Sequence, residues 1–221
     1  MTLPYSSVPS SYARVLSSLI RFRQMTSSQV RRLHFPEGTQ RGRIVRAQRC
    51  LARLVEEKHL DRLTRAHGGY GGGSGEYIYQ LPTSKARAPD MHTLDIAELY
   101  VSLVESGAKV LAFDPEPYSY VQVGRVELKP DAYLRIQTVT DAYQYFLEVD
   151  RGTEYRSQLS AKMHRYVQAF HQWDEDTFPQ VVWIVPDSER LDFVQSVIRR
   201  QKEADLFVCY RFCEAVEQLR A

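Results

Sequence analysis

The stretch YFLEVDRGTE, residues 145–154, starts as an apolar run and ends in acid. Tyr145, Phe146 and Leu147 suit a buried strand. Glu148 and Asp150 follow, then a turn at Arg151, Gly152 and Thr153. Residues i and i+2 of a strand share a face, so the two carboxylates should emerge together. A further acid, Asp131, follows Pro130 at the start of the run AYLRIQ. Carboxylates gathered at strand ends suit Mg2+ or Mn2+, which take oxygen ligands and, in the case of Mg2+, keep several waters. Such an ion acidifies a bound water and neutralises charge on a phosphodiester under attack. The blander alternative is a surface turn, with Thr153 as N-cap and Glu154 in the first turn of a helix.

The order is a helix carrying Glu98, strands carrying Asp131 and Glu148, then helix and strand. This layout resembles the PD-(D/E)XK, or restriction-endonuclease-like, superfamily. The resemblance implies an aspartate on one strand and an acid-x-lysine on the next, with Asp131 and Glu148 as metal ligands. The lysine is absent: Asp150 stands in its place. Lys162, in the following helix, is the candidate replacement. Tyr155, Leu159, Lys162 and Tyr166 step by four, three and four residues, so Lys162 lies on the edge of the apolar stripe. Its other reading is a surface lysine lying along that edge. The catalytic set read here is Asp131, Glu148, Asp150 and Lys162, with Asp131 and Glu148 as the metal pair. Glu98 reads as solvent-facing, although the resemblance also allows a first-helix glutamate at the site. His164 and His171 share a helix without an evident third ligand, and read as non-ligands.

The elements that must hold these residues begin after a polar stretch, PTSKARAPD, residues 82–90. LDIAELYVSLVES reads as a helix and AKVLAF as a strand. VQVGRVEL, AYLRIQ and AYQYFLEVD read as strands. EYRSQLSAKMHRYVQAFHQW is a helix, QVVWIVP a short apolar strand, SERLDFVQSVIRRQKE a helix and LFVCYRF a last strand. Alternation of helix and strand implies an α/β domain with a mixed central sheet.

Upstream, SYARVLSSLIRFRQ and MTSSQVRRLHF read as two helices, with Thr26 or Ser27 as N-cap of the second. A third helix, roughly 41–58, places Ile44, Ala47, Leu51, Leu54 and Val55 on one face. Arg46, Arg49 and Arg53 lie on another, with Arg41 and Arg43 near its start. HLDRLTRA and YIYQLP flank a glycine-rich tip at 68–75 and read as a hairpin, with Arg65 in its first arm. Three helices and a hairpin are the order of a winged helix-turn-helix, whose third helix enters the major groove. The expected division is 1–85 for this DNA-binding domain and 86–221 for the nuclease-like one.

Charge follows the same division. Residues 1–90 hold 15 Lys plus Arg against 6 Asp plus Glu, and residues 91–221 hold 14 against 21. An arginine-rich first half suits double-stranded DNA, because guanidinium grips phosphate bidentately. No apolar run reaches a membrane span, no signal peptide is evident at the N-terminus, and three sparse cysteines suit a reducing cytoplasm.

PDAYLRI, then FLEVDRGTE, then a helix with Lys162 and Tyr166, all behind a winged helix, resembles the replication-relaxation family of plasmids and mobile elements. Asp131, Glu148, Asp150, Thr153, Lys162 and Tyr166 fall at its marked positions, so Asp150 looks like a family trait. The resemblance implies DNA handling in plasmid replication or transfer, with replication or conjugation proteins and a second copy of the chain as further partners. It leaves two readings open: a Mg2+- or Mn2+-dependent endodeoxyribonuclease, or a transcriptional or copy-number regulator whose C-terminal domain mediates dimerisation or partner binding.

Overall fold

Side chains that precede the helices start them. Thr26 Oγ1 accepts from Gln29 N at 3.1 Å, and Gln29 Oε1 accepts from Thr26 N at 2.9 Å, a reciprocal capping box. Thr39 Oγ1 accepts from Gly42 N at 3.2 Å. In this computed structural model, residues 10–63, 76–84, 86 and 88–220 are described. The first elements are α1 (Ser10–Phe22), β1 (Gln24–Thr26), α2 (Ser27–His34), α3 (Gln40–Glu56), β2 (Asp61–Arg62) and β3 (Ile78–Gln80). The strands pair antiparallel in the order β1-β3-β2. The paired arms of the expected hairpin are therefore present. Its tip at 68–75 and Arg65 lie outside the described residues.

The core of this unit takes Val15, Leu16, Leu19 and Phe22 from α1, Met25 and Val30, and Ala47, Cys50, Leu51 and Leu54 from α3. Ile44 and Val55, expected in that face, are half-buried, and Cys50 is in the core instead. Between α2 and α3 the chain turns at Gly38, whose φ of +84° an L side chain rarely adopts.

The chain divides into two compact units, Met1–Val101 and Ser102–Ala221. The stretch read as a linker is tied to the first. Gln80 Nε2 donates to Ala86 O at 2.9 Å, Gln24 Nε2 donates to Ala88 O at 3.2 Å, and Asp90 N donates to Gln24 Oε1 at 2.8 Å. Two buried glutamines thus satisfy backbone groups of a segment whose composition looks free. Next comes α4 (Met91–Glu105). Glu98 on α4 is not solvent-facing: it accepts from Gln29 Nε2 at 3.1 Å and pairs with Arg32, both on α2.

The second unit holds β4 (Lys109–Pro115), β5 (Val121–Val123), β6 (Val126–Leu128), β7 (Ala132–Gln137), β8 (Ala142–Val149), α5 (Arg156–Phe170), β9 (Gln180–Val185), α6 (Ser188–Ile198), β10 (Phe207–Arg211) and α7 (Phe212–Arg220). Its five-stranded sheet runs β10-β9-β8-β7-β4. β4, β7 and β8 pair antiparallel, while β8, β9 and β10 pair parallel. β5 and β6 form a separate two-stranded hairpin rather than one strand of that sheet. Phe146, Val181, Trp183 and Val185 on one face join Leu159, Met163, Tyr166, Val194 and Val197 of α5 and α6 in the core. Residues of opposite parity, Leu134, Leu147, Val182 and Ile184, are buried too. Burial on both faces explains why β9 reads as an unbroken apolar run. The sequence reading missed α7, although Phe212, Ala215 and Leu219 are buried at helical spacing. Among the described residues, no helix is long and apolar enough to cross a membrane.

His34 closes α2 with its Nε2 3.0 Å from Ser18 Oγ. Burial, then the charge of Arg14, lowers its pKa to about 4. The folded form therefore resists a proton that the unfolded chain accepts near pH 6.5. Stability carried by neutral His34 is complete above pH 6.5 and is lost as pH falls toward 4. The loss amounts to roughly 2–3 kcal/mol. Urea unfolding across that range should show it, and His34→Gln should flatten the slope.

Candidate functional site

The register of the sheet brings the acids together. Ala132 pairs with Leu147 and Tyr133 with Phe146, so one step further sets Asp131 opposite Glu148. Tyr133 and Phe146 touch on the α5 face, with ring centroids 6.0 Å apart. Asp131 and Glu148, two residues along, share that face. Asp131 Oδ2 accepts from Val149 N at 2.7 Å, which fastens the end of β7 to the end of β8.

Glu148 is 1% exposed. Its Oε2 accepts from Lys162 Nζ at 2.9 Å, and its Oε1 accepts from the Tyr166 hydroxyl at 2.6 Å. Both donors come from α5, one turn apart, on the stripe that faces the sheet. Burial pushes the Glu148 carboxyl up to about 7. Lys162 pulls against this, Asp131 adds to it, and the Tyr166 hydrogen bond also pulls down. For Lys162 burial acts downward, but Glu148, Asp131 and Glu154 outweigh it and hold the ammonium above its ordinary value. The Tyr166 hydroxyl is raised well above its usual range by burial and by Glu148. Lys162 also lies 3.3 Å from Glu154 Oε1. The sequence reading gave Glu154 only a helix-dipole role; its contact with Lys162 bridges the β8–α5 loop and the helix.

Asp150 faces the same helical layer but turns toward α6. Its Oδ2 accepts from Arg190 Nε at 2.8 Å and pairs with Nη2 at 2.6 Å; its Oδ1 accepts from Gly152 N at 2.7 Å. Arg190 Nη2 also donates to Glu154 O at 2.7 Å. The turn needs Gly152, with φ +82°. Asp150 and Arg190 thus hold the loop that presents Glu154. No local signal marks Arg190, which meets its partner across 40 residues. Thr153 does not cap α5. The N-cap position is Tyr155, whose N donates to Gln158 Oε1 at 2.7 Å. The turn built on Asp150 and Arg190 delays the helix by two residues.

On α3, Arg41 and Arg49 are exposed and make no side-chain hydrogen bond or ion pair among the described residues. Arg43 Nε donates to Phe35 O at 3.2 Å, and Arg46 donates to Glu37 O, so both brace the α2–α3 turn. Arg53 pairs with Glu57 at 2.7 Å. His164 meets Gln168 Nε2 at 3.2 Å and His171 lies 3.4 Å from Glu203. Among the described residues, no group of three or more His, Cys, Asp or Glu is placed to hold a metal ion. Asp131 and Glu148 offer only two carboxylates. That sparse oxygen set fits Mg2+, which usually takes one or two carboxylates and keeps waters and phosphate oxygens. It does not fit a closed structural site.

An antiparallel β4-β7-β8 run, a parallel β8-α5-β9 crossover and acids at the β7 and β8 ends make the second unit an α/β domain of restriction-endonuclease-like design. The chain belongs to the replication-relaxation family, whose model matches residues 16–88 and 82–181. No curated protein matches it. Among solved structures, restriction endonuclease FokI bound to DNA aligns at 11% identity with a TM-score of 0.30. The alignment covers 94% of this chain and 43% of that chain. That likeness is too slight to assign the fold, which rests on the sheet's own topology.

Proposed function

We propose that this protein handles DNA in the replication or transfer of a mobile element, reading duplex DNA with its first unit and nicking or cutting a strand with its second. The observation that carries the second half is the 2.9 Å contact between Lys162 Nζ and Glu148 Oε2. The lysine missing from position 150 has a counterpart delivered from α5. Asp131 and Glu148 would hold Mg2+ or Mn2+. When bound, the ion would supply a more acidic water and offset phosphate charge. Lys162 would orient the attacking water, and Tyr166 fixes the Glu148 carboxylate through Oε1. Asp150 acts through the loop rather than at the reacting atoms.

Three helices with a β1-β3-β2 sheet support a winged helix-turn-helix with α3 in the major groove and the β2–β3 hairpin on the backbone. Arg41 and Arg49 are the arginines of α3 without a hydrogen bond or ion pair among the described residues. Arg41→Ala with Arg49→Ala should weaken duplex binding. If each contacts one phosphate, the slope of log K against log salt should fall by about 0.9 per arginine. Fluorescence anisotropy across a salt series reads it; an unchanged slope would remove α3 from the interface.

One observation favours a second reading, a regulator whose second unit docks a partner or a second copy: both Glu148 oxygens are already engaged by protein donors. Supercoiled plasmid with Mg2+, Mn2+ or chelator separates the two. Nicked or linear product only with metal supports the nuclease. Intact plasmid that is nonetheless bound in a gel shift supports the regulator.

A further inference from the structure

An open cleft of about 1030 Å3 lies beside the Glu154–Lys162 pair, at the start of α5. Tyr155, Arg156, Ser157, Ser160, Arg190 and Phe193 line it. The proposed function uses none of these as a contact to substrate.

Two features make the lining unusual. Arg156 carries a charge that no carboxylate answers among the described residues. Its Nη2 donates to Ser196 Oγ at 3.1 Å, its guanidinium lies 4.9 Å from the Phe193 ring centre, and its buried Nη1 has no hydrogen-bond partner. The other cation, Arg190, is held by Asp150, and the Glu154 carboxylate is turned to Lys162. Arg156 is thus the lining cation without a carboxylate partner among the described residues, held in orientation by Phe193 and Ser196. Beside it, Tyr155 is 76% exposed, an aromatic ring largely open to solvent at the rim of the cleft.

The geometry points to a binding site for an unpaired nucleic-acid strand, with a phosphodiester on Arg156 and the adjacent base stacked on Tyr155. Guanidinium is suited to phosphate, and Ser157 and Ser160 add hydroxyl donors. A protruding ring suits an unpaired base, because every base has a π face and a paired one is not free to stack outside its duplex. The reading rests on the proposed DNA-handling role and deepens it. A strand held here would run past Glu154 toward Glu148 and Lys162, so the substrate would be single-stranded or locally opened.

The test uses the full chain in chelator, where no cleavage is read. A short 5-bromodeoxyuridine-substituted oligothymidine is photocrosslinked, and the modified peptide is found by mass spectrometry. Anisotropy with a fluorescein-labelled oligothymidine gives the affinity. A crosslink on the Tyr155 peptide, with about a tenfold loss of affinity in Tyr155→Ala, is expected. Arg156→Gln should lose affinity as well, with circular dichroism confirming that it folds. Crosslinks confined to α3 and the β2–β3 hairpin, with Tyr155→Ala unchanged, would overturn the site. An equal Tyr155 crosslink from a bromodeoxyuridine-substituted duplex of the same length would overturn its preference for an unpaired strand. A Tyr155 crosslink without metal-dependent plasmid cleavage would uphold this site and sink the nuclease reading; cleavage without the crosslink would do the reverse.

Discussion

Glu148→Gln is expected to cut metal-dependent nicking by about 10²- to 10³-fold, the scale of losing a principal electrostatic contributor, while leaving the protein folded. Glutamine keeps the volume, and its carbonyl can still accept from Tyr166 or Lys162. It loses the charge a divalent ion needs. The stability change should run the other way. Burial lifts the Glu148 pKa from 4.5 to about 7. A carboxyl raised in the folded state contributes stability that is complete below pH 4.5 and lost as pH rises through 7. At pH 8 the folded protein therefore carries an ionisation cost that the unfolded chain does not. The glutamine variant should match or exceed the wild type in urea at pH 8 and lose that advantage at pH 4.5. An inactive variant that is more stable at high pH is the mark of a group kept for function at the expense of the fold. A variant that is inactive and unfolded would say instead that Glu148 serves the core.

The sequence disclosed the site in proportion to how local its signals were. YFLEVDRGTE shows a strand that ends in acid because alternation and turn residues lie side by side. Asp131 is legible from its neighbours, and its position opposite Glu148 follows from the register of β7 on β8. Lys162 was legible as the edge of a stripe, since three- and four-residue steps fix a helix face. Arg190 was not. Nothing near Ser188 announces that its guanidinium crosses 40 residues to reach Asp150. Thr153 was misread for the same reason: good cap chemistry lost to a tertiary contact that shaped the turn. The segment 82–90 looked like a linker because composition does not reveal that Gln24 and Gln80 hold its backbone. Among the arginines of α3, spacing gave the face but not the division of labour. Arg43 and Arg46 brace a turn, and only contacts separate them from Arg41 and Arg49.

The same distinction between local and long-range signals gives the second large effect, at Asp150. Its position two residues after Glu148 invites a catalytic role, but its surroundings give it another. The Asp150 side chain is 2% exposed and Arg190 is 12% exposed, so the pair is shielded from water. One carboxylate oxygen holds Arg190 and the other holds Gly152 N. Asp150→Ala would strand a buried guanidinium and release the turn at Gly152. Removing one partner of such a pair costs about 3–5 kcal/mol. Thermal unfolding of the full chain should show a large loss in the transition of the second unit and little in that of the first. Replacing both residues, Asp150→Asn with Arg190→Met, leaves no buried charge uncompensated and should recover much of the loss. The recovered protein then reports the role directly. If Asp150 only positions the loop, the double variant should nick plasmid at a rate reduced in step with how loosely Glu154 meets Lys162, and with an unchanged metal requirement. If a stable double variant needs far more Mg2+ or Mn2+ to reach its full rate, Asp150 belongs among the metal ligands, and the division between the α5-facing acid and the α6-facing acid falls.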